Sequence, residues 1–461
     1  MGLKKDISFY FIGNIASKAI AFILVPIYVA SMSQAEYGIV GSMQVLIHAM
    51  AILLSLGTER SVYRLYHDYK EEKYRKEFLG TLSIFIYLFG AVFLGTLLLF
   101  REQVSLLYKS IPFAPYYLLA MLIAYISTFE IVPGIYLQAA QKSKQYLIVS
   151  LIKLFISSAL IIYFTVYLKQ EAAGMLKGML YGHIATLPIY IGIQYKYFSF
   201  VFKKKYLIPT LKYSLPLLPS LLSAWVINLS SQVFIERNFS TSEVAIYALS
   251  LKIVALVTVV SSAIMTAYNP TFYKVANSEQ EEIGKAYLYK IQNRIIITLL
   301  VCTMFLPVIS KDILHYFFSS EYNGAVYIIP ILVCGTVVTQ MTGFLNLAFY
   351  QKKKTKQIML IMLLSAAVTI MMNAVLIPLY STIGAAVTYL SSALLFFILE
   401  YFISKKYYFV AFNWKNIITT LVIMSSLICM GIYLPVTILT TGIKVVLGII
   451  VVFYLYKNIK K

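Results

Sequence analysis

The chain has 461 residues, 60% of them apolar and only 12% charged, with a mean hydropathy of +0.81. Soluble domains average about 45–50% apolar, so the composition excludes a soluble enzyme or binding module and points to a polytopic membrane protein. A net charge of +21 would suggest nucleic acid in a soluble chain, but here the placement of the basic residues decides its meaning.

The apolar runs continue for about 20 residues, the length of a helical crossing, and do not alternate in strands of about 10 as a barrel would. The expected fold is therefore all-α. Fourteen spans fall at approximately 7–31, 37–57, 79–100, 116–138, 146–168, 175–196, 214–235, 246–267, 291–310, 326–349, 358–380, 383–404, 417–434 and 437–457. The first is too long for a signal-peptide core and lacks a small-residue cleavage site, so it is expected to remain as a span.

That first span carries Lys18 near its middle and Pro26 beyond it. Spans four and five carry Glu130 and Lys153. At 1.5 Å per residue both lie roughly 10–12 Å from the cytoplasmic end, so one can neutralise the other, either as a structural pair or as a proton- or cation-sensitive switch. The seventh span opens with Pro216 and Pro219, and the eighth holds Lys252. A lone ammonium in hydrocarbon costs about 2.5–3.5 kcal/mol on insertion scales, so Lys18 and Lys252 are expected to face an aqueous cavity. Snorkelling to the interface competes for Lys252, and is the expected state of Lys177, Glu400 and Lys444, which lie nearer span ends. The prolines of the leading helices each remove a backbone hydrogen bond, leaving either static kinks or points of flexure at Pro26, Pro216 and Pro219.

Charge sets the topology. The loops 1–6, 58–78, 139–145, 197–213, 268–290, 350–357, 405–416 and 458–461, with the flanking Lys196, Arg294 and Lys457, hold 29 of the 39 basic residues. Lys and Arg are retained in the cytoplasm, so these loops and both termini are expected there. Basic loops against anionic inner-leaflet lipid require no nucleic acid as partner.

The second half restarts the first. Glu36-Tyr37-Gly38-Ile39 falls on Glu243-Val244-Ala245-Ile246, Tyr63-Arg64 on Tyr273-Lys274, and Lys142-Ser143-Lys144-Gln145 on Lys354-Thr355-Lys356-Gln357, in one order and nearly one register. Six spans per repeat implies two parallel pseudo-symmetric lobes. The expected divisions are an N-terminal lobe 1–196, an inter-lobe linker 197–213, a C-terminal lobe 214–404, and a loop with two extra spans at 405–461.

Cys302, Cys334 and Cys429 are far apart within or beside apolar runs, so neither a disulfide framework nor a metal site is expected. His48 and His183, both in spans, are read as packing or hydrogen-bonding residues, with a proton-sensing role as the alternative. No loop exceeds about 23 residues, which argues against an extramembrane catalytic domain and hence against a polymerase or glycosyltransferase. No cofactor is expected.

Four stretches carry a family resemblance: Gly57-Thr58-Glu59-Arg60 through Tyr63-Arg64; Ser214-Leu215-Pro216-Leu217-Leu218-Pro219-Ser220; Tyr247-Ala248-Leu249-Ser250-Leu251-Lys252; and Asn373-Ala374-Val375-Leu376-Ile377-Pro378 followed by Gly384-Ala385-Ala386. In order and over nearly the whole chain, these resemble the Wzx-type polysaccharide flippases of the multidrug/oligosaccharidyl-lipid/polysaccharide exporter superfamily. The resemblance implies a two-lobed transporter around a central cavity, moving an undecaprenyl-pyrophosphate-linked oligosaccharide across the bacterial cytoplasmic membrane by alternating access, with polysaccharide polymerases or glycosyltransferases as partners.

On this resemblance, basic residues of spans one and eight line the cavity, which places Lys18 and Lys252 there. Arg60 and Arg64 either catch the pyrophosphate at the inner mouth or anchor the loop. Coupling to H+, Na+ or membrane potential stays open, because Asn228-Leu229-Ser230-Ser231-Gln232 stands where many relatives have an acidic residue. Two rivals share the superfamily. A cation-coupled drug exporter favours acidic cavities and usually twelve spans, and a peptidoglycan-precursor flippase is close in fold and charge.

Overall fold

The computed structural model describes residues 19–277 and 281–448. Among these residues the regular structure is helical, with no strand. Packing divides the chain into two compact units, 1–245 and 246–461.

The first unit starts with α1 (Ala19–Ala30), a short apolar helix interrupted at Leu24, two residues before Pro26. Next comes α2 (Gln34–Ser55), capped where the Ser33 hydroxyl accepts from the Glu36 amide. It stops at Leu56 and Gly57, both left-handed (φ 47° and 67°), and this sharp turn launches α3 (Thr58–Leu65). Then follow α4 (Glu72–Leu99), α5 (Leu118–Ala139), α6 (Ser143–Ile162), α7 (Glu171–Tyr197), α8 (Lys204–Ser214) and α9 (Leu218–Asn238). Helix α5 is the hub, packing against α2, α3, α4, α6 and α7.

Helices α6 and α7 approach closely because α7 presents Gly174, Gly178 and Gly182 on one face. A Cβ on Gly178 would meet the Ile161 backbone at 2.5 Å, and one on Gly182 would meet the Ser157 hydroxyl at 2.3 Å. Small residues at four-residue spacing are the means by which helices pack in lipid, where no hydrophobic force drives them together.

The 197–213 segment, expected as a linker, is fastened to α4 and contains helix α8. Ser199 N–H donates to the Lys76 carbonyl (2.9 Å), the Thr81 hydroxyl to the Val201 carbonyl (2.7 Å), and Glu77 accepts from Lys203 Nζ (2.6 Å) and Tyr206 OH (2.8 Å). A short 3-10 turn, Leu215–Leu217, carries Pro216, and Pro219 sits in the first turn of α9. Proline is tolerated there because the first-turn amides have no intrahelical partner to lose.

Helix α10 (Thr241–Ala276) runs from the end of the first unit into the second. The second unit continues with α11 (Glu281–Phe317), α12 (Ala325–Gln351), α13 (Thr355–Ser404), α14 (Trp414–Tyr433) and the short α15 (Ile438–Gly448). Helix α13 turns back at Ser381 (φ 49°, ψ −131°), shortly after Pro378. Its two limbs are joined by the Thr369 hydroxyl donating to Ser392 Oγ at 2.8 Å.

Among the described residues ten helices are long and apolar enough to cross a membrane, so fourteen crossings are not established. The difference has physical sources. The folded-back α13 covers two expected spans, 358–380 and 383–404. Helix α7 lies over the expected sixth but, carrying Lys177, His183 and Pro188, falls below the same apolarity. The expected first and last spans extend into residues outside the described set.

Two expectations at span ends are corrected. Lys444 does not snorkel: it is fully buried and its ammonium bonds Asp312 Oδ2 at 2.7 Å, while the Thr441 hydroxyl donates to Oδ1 at 2.5 Å. A charge can stay in an apolar interior when a counter-ion is built beside it. Glu400 is likewise fully buried, with both carboxyl oxygens lacking a hydrogen-bond partner among the described residues. Lys177, half-buried, does reach out, to the Gln170 side-chain carbonyl near the start of its helix (2.9 Å).

Candidate substrate cavity

Within the first unit, α2, α3, α5, α6, α7 and α9 line an open cavity of about 770 Å³. Its polar wall includes His48, Glu59, Ser127, Glu130, Gln138, Ser150, Lys153 and Asn228, and its aromatic members are Tyr146, Tyr190 and Trp225. That volume lies within the range of about 300–1,000 Å³ typical of small-molecule sites.

The polar centre is the Glu130 carboxylate on α5. One oxygen receives the Lys153 ammonium from α6 in an ion pair. The other accepts from His183 Nδ1 on α7 at 2.8 Å and from the Thr186 hydroxyl at 3.4 Å. An ionised carboxylate only accepts, so this bond requires the proton on Nδ1. Glu130 is 9% exposed and Lys153 30%; the acid is enclosed and the base reaches the cavity. The glycine face that draws α7 onto α6 is what brings His183 and Lys153 to opposite sides of one carboxylate.

Elsewhere on the wall, the Trp225 indole N–H donates to the Val45 carbonyl at 3.1 Å. Asn228 Nδ2 donates to the Ala224 carbonyl of its own helix at 2.7 Å, which leaves its amide oxygen as an acceptor. Glu59, launched by the left-handed turn at Leu56 and Gly57, lines the cavity with one buried oxygen that has no hydrogen-bond partner among the described residues.

The expected site residues divide. Glu130 and Lys153 are brought together. Lys18 lies outside the described residues. Lys252 is exposed on α10 in the second unit and pairs with no carboxylate among the described residues. Arg60 is exposed on α3, and Arg64 pairs with Asp68 at 2.8 Å; neither lines the cavity. From that motif it is Glu59 that does. Sequence reasoning also missed His183 as a partner of Glu130, 53 positions away, and Trp225, one apolar residue among many in its span. The Gly174, Gly178, Gly182 spacing was the readable signal for the first.

Among the described residues no group of histidine, cysteine and acidic side chains could hold a metal ion. Cys302 and Cys429 are exposed, Cys334 is half-buried, and all three are free.

Long apolar helices, with a cavity that carries charged and amide side chains among those of the first unit, define a multi-pass membrane protein, and solved structures that share this fold include a flippase and transporters. The lipid II flippase MurJ, in an inward closed conformation, matches with a TM-score of 0.76 at 15% identity over 99% of this chain and 100% of that one. A variant of the Vibrio cholerae MATE transporter VcmN matches at 0.61 and 13% identity over 88% and 95%. An outward-facing multidrug resistance MATE transporter matches at 0.59 and 16% identity over 87% and 93%. In sequence, protein 1 of the Lsg locus of Haemophilus influenzae is 22% identical over 366 residues, 77% of this chain and 86% of that protein. The chain belongs to the polysaccharide biosynthesis protein family, whose model matches residues 3–276. This agrees with the Wzx-type resemblance and with a protein that is not an enzyme.

Proposed function

We propose that this protein is a flippase that carries an undecaprenyl-pyrophosphate-linked oligosaccharide across the bacterial cytoplasmic membrane, by alternating access, for surface polysaccharide synthesis. Family membership over residues 3–276 is the observation that carries this reading. The first-unit cavity, mostly apolar but carrying Glu59, Glu130, Gln138, Lys153 and Asn228 on its wall, in a helical bundle whose surface exposes Leu88, Val92 and Leu99, supports it: a head group requires polar partners along a wet path where a polyprenyl tail requires lipid. In this proposal residues 1–196 and 214–404 act as the two lobes. Lys18, Lys252, Arg60 and Arg64 are the contacts of the pyrophosphate. Glu130 and Lys153 form the ionisable pair through which H+ or Na+ acts, and Pro26, Pro216 and Pro219 are hinges.

The test is translocation of a lipid-linked precursor by purified protein in proteoliposomes. Wild type should move it, and the Lys18→Ala/Lys252→Ala variant should lose at least tenfold in rate while remaining folded. An unchanged rate would remove the two lysines from the path, and no movement by wild type would remove the function.

One observation favours a second reading. The first-unit cavity holds two carboxylates, Glu59 and Glu130, against one lysine, a balance that suits a cationic cargo. Export of ethidium by the same vesicles would support a drug exporter in place of a glycolipid flippase. The fold shared with MurJ makes the peptidoglycan precursor the control substrate.

A further inference from the structure

We infer that the first-unit cavity is a glycan subsite: it receives the uncharged sugar portion of the cargo and not its diphosphate. The inference rests on the flippase reading and adds which chemical part of the substrate this cavity takes. Three features of the wall lead to it.

The cavity has little to offer a diphosphate. Its lysine already faces Glu130, and Glu130 is held in place by His183 and Thr186. A diphosphate bound there would stand near Glu130 and the unpartnered oxygen of Glu59. Like charges within a few ångströms of each other at a protein surface repel. Such like-charge contacts reject an anion as effectively as any missing donor.

The same wall suits a sugar. Because the Trp225 indole N–H is committed to the Val45 carbonyl, what the ring offers the cavity is carbon surface at a fixed orientation. A large rigid apolar face with its polar edge already satisfied is a platform for the C–H face of a pyranose. Around it stand neutral hydrogen-bonding groups. Gln138 is half-buried and its side chain makes no hydrogen bond among the described residues, so its amide has both donors and acceptor free for a vicinal diol. Asn228 adds an acceptor. A mostly apolar cavity with a few convergent neutral amides specifies hydroxyl groups rather than charge.

The chain provides its own reporter, since Trp225 and Trp414 are its two tryptophans. Trp414 belongs to the second unit and lies outside the cavity, so full-length Trp414→Phe protein in nanodiscs reports Trp225 alone. The probes are the reducing repeat unit released from the surface polysaccharide of the source strain, free of lipid and phosphate, and inorganic pyrophosphate. We expect saturable change in Trp225 emission with the repeat unit and none with pyrophosphate at the same concentrations. Gln138→Ala should weaken repeat-unit binding at least fivefold without lowering the thermal midpoint. Calorimetry in the wild-type background should show Trp225→Ala weaker than Trp225→Phe, the ring-retaining variant that also serves if the alanine variant does not fold. A response to pyrophosphate, no response to the repeat unit, or unchanged binding in Gln138→Ala overturns the inference. Translocation of precursor by wild type, measured in parallel, separates that failure from failure of the flippase reading itself.

Discussion

Glu130 has three partners and Lys153 one, and this asymmetry sets what each substitution should do. Removing Lys153 leaves an enclosed carboxylate without its counter-ion, and breaking a buried pair from one side costs about 3–5 kcal/mol. Lys153→Ala should therefore lower the thermal midpoint sharply, whereas Glu130→Leu/Lys153→Met, which removes both charges, should recover most of the loss. A double variant no more stable than the single would show that the pair is not the source of the effect. Glu400 predicts the opposite sign. Its carboxyl group is fully buried without a partner among the described residues, and an unsatisfied buried group costs about 1–3 kcal/mol. Glu400→Met, similar in volume, should raise the midpoint; a fall would mean that the acid is bonded in the working protein. If the midpoint rises while translocation is lost, the buried acid serves transport at the expense of stability.

Between elements, the decisive contact is backbone on backbone. Gly178 has the Ile161 Cα within 2.5 Å of where a side chain would begin, while Gly192, on the same helix, has nothing within 4 Å. Gly178→Leu should separate α6 from α7, pull Lys153 away from Glu130 and reduce folded yield. Gly192→Ala should be neutral or slightly stabilising, since alanine is favoured over glycine in a helix by about 1 kcal/mol. Equal outcomes in a detergent thermal-shift series would show that the close approach is not what holds the pair. At this scale the sequence could be read only in part. Continuous apolar runs gave the helices, and Pro26, Pro216 and Pro219 fall where the helix is interrupted or begins. Glu130 and Lys153 were legible as a pair because each is a rare charge at matching depth on adjacent spans. His183 and Glu59 were not, because their roles depend on helix rotation and on a two-residue left-handed turn, neither of which apolar periodicity encodes. Lys444 was misread for a related reason: depth along a span says nothing of which neighbour a side chain faces, and here the neighbour is Asp312.

For the whole molecule, charge predicts the orientation. A family match, a fold shared with a flippase and transporters, and ten long apolar helices among the described residues define a multi-pass protein without saying which side faces the cytoplasm. The basic residues supply the expectation. With 29 of 39 concentrated in or beside alternate loops, translocating those loops would oppose the bias that retains Lys and Arg inside. A green fluorescent protein fused after Lys461 should therefore fluoresce, and alkaline phosphatase at the same place should be inactive. Phosphatase inserted after Lys109 should be active, because 101–115 carries only Arg101 and Lys109 and is expected on the far side. The two insertions must disagree if an odd number of crossings separates them, so the experiment also constrains span parity without a full count. Active phosphatase at both places would place the C-terminus outside, require an odd number of crossings from a cytoplasmic N-terminus, and move the basic loops of one half to the wrong side of the membrane.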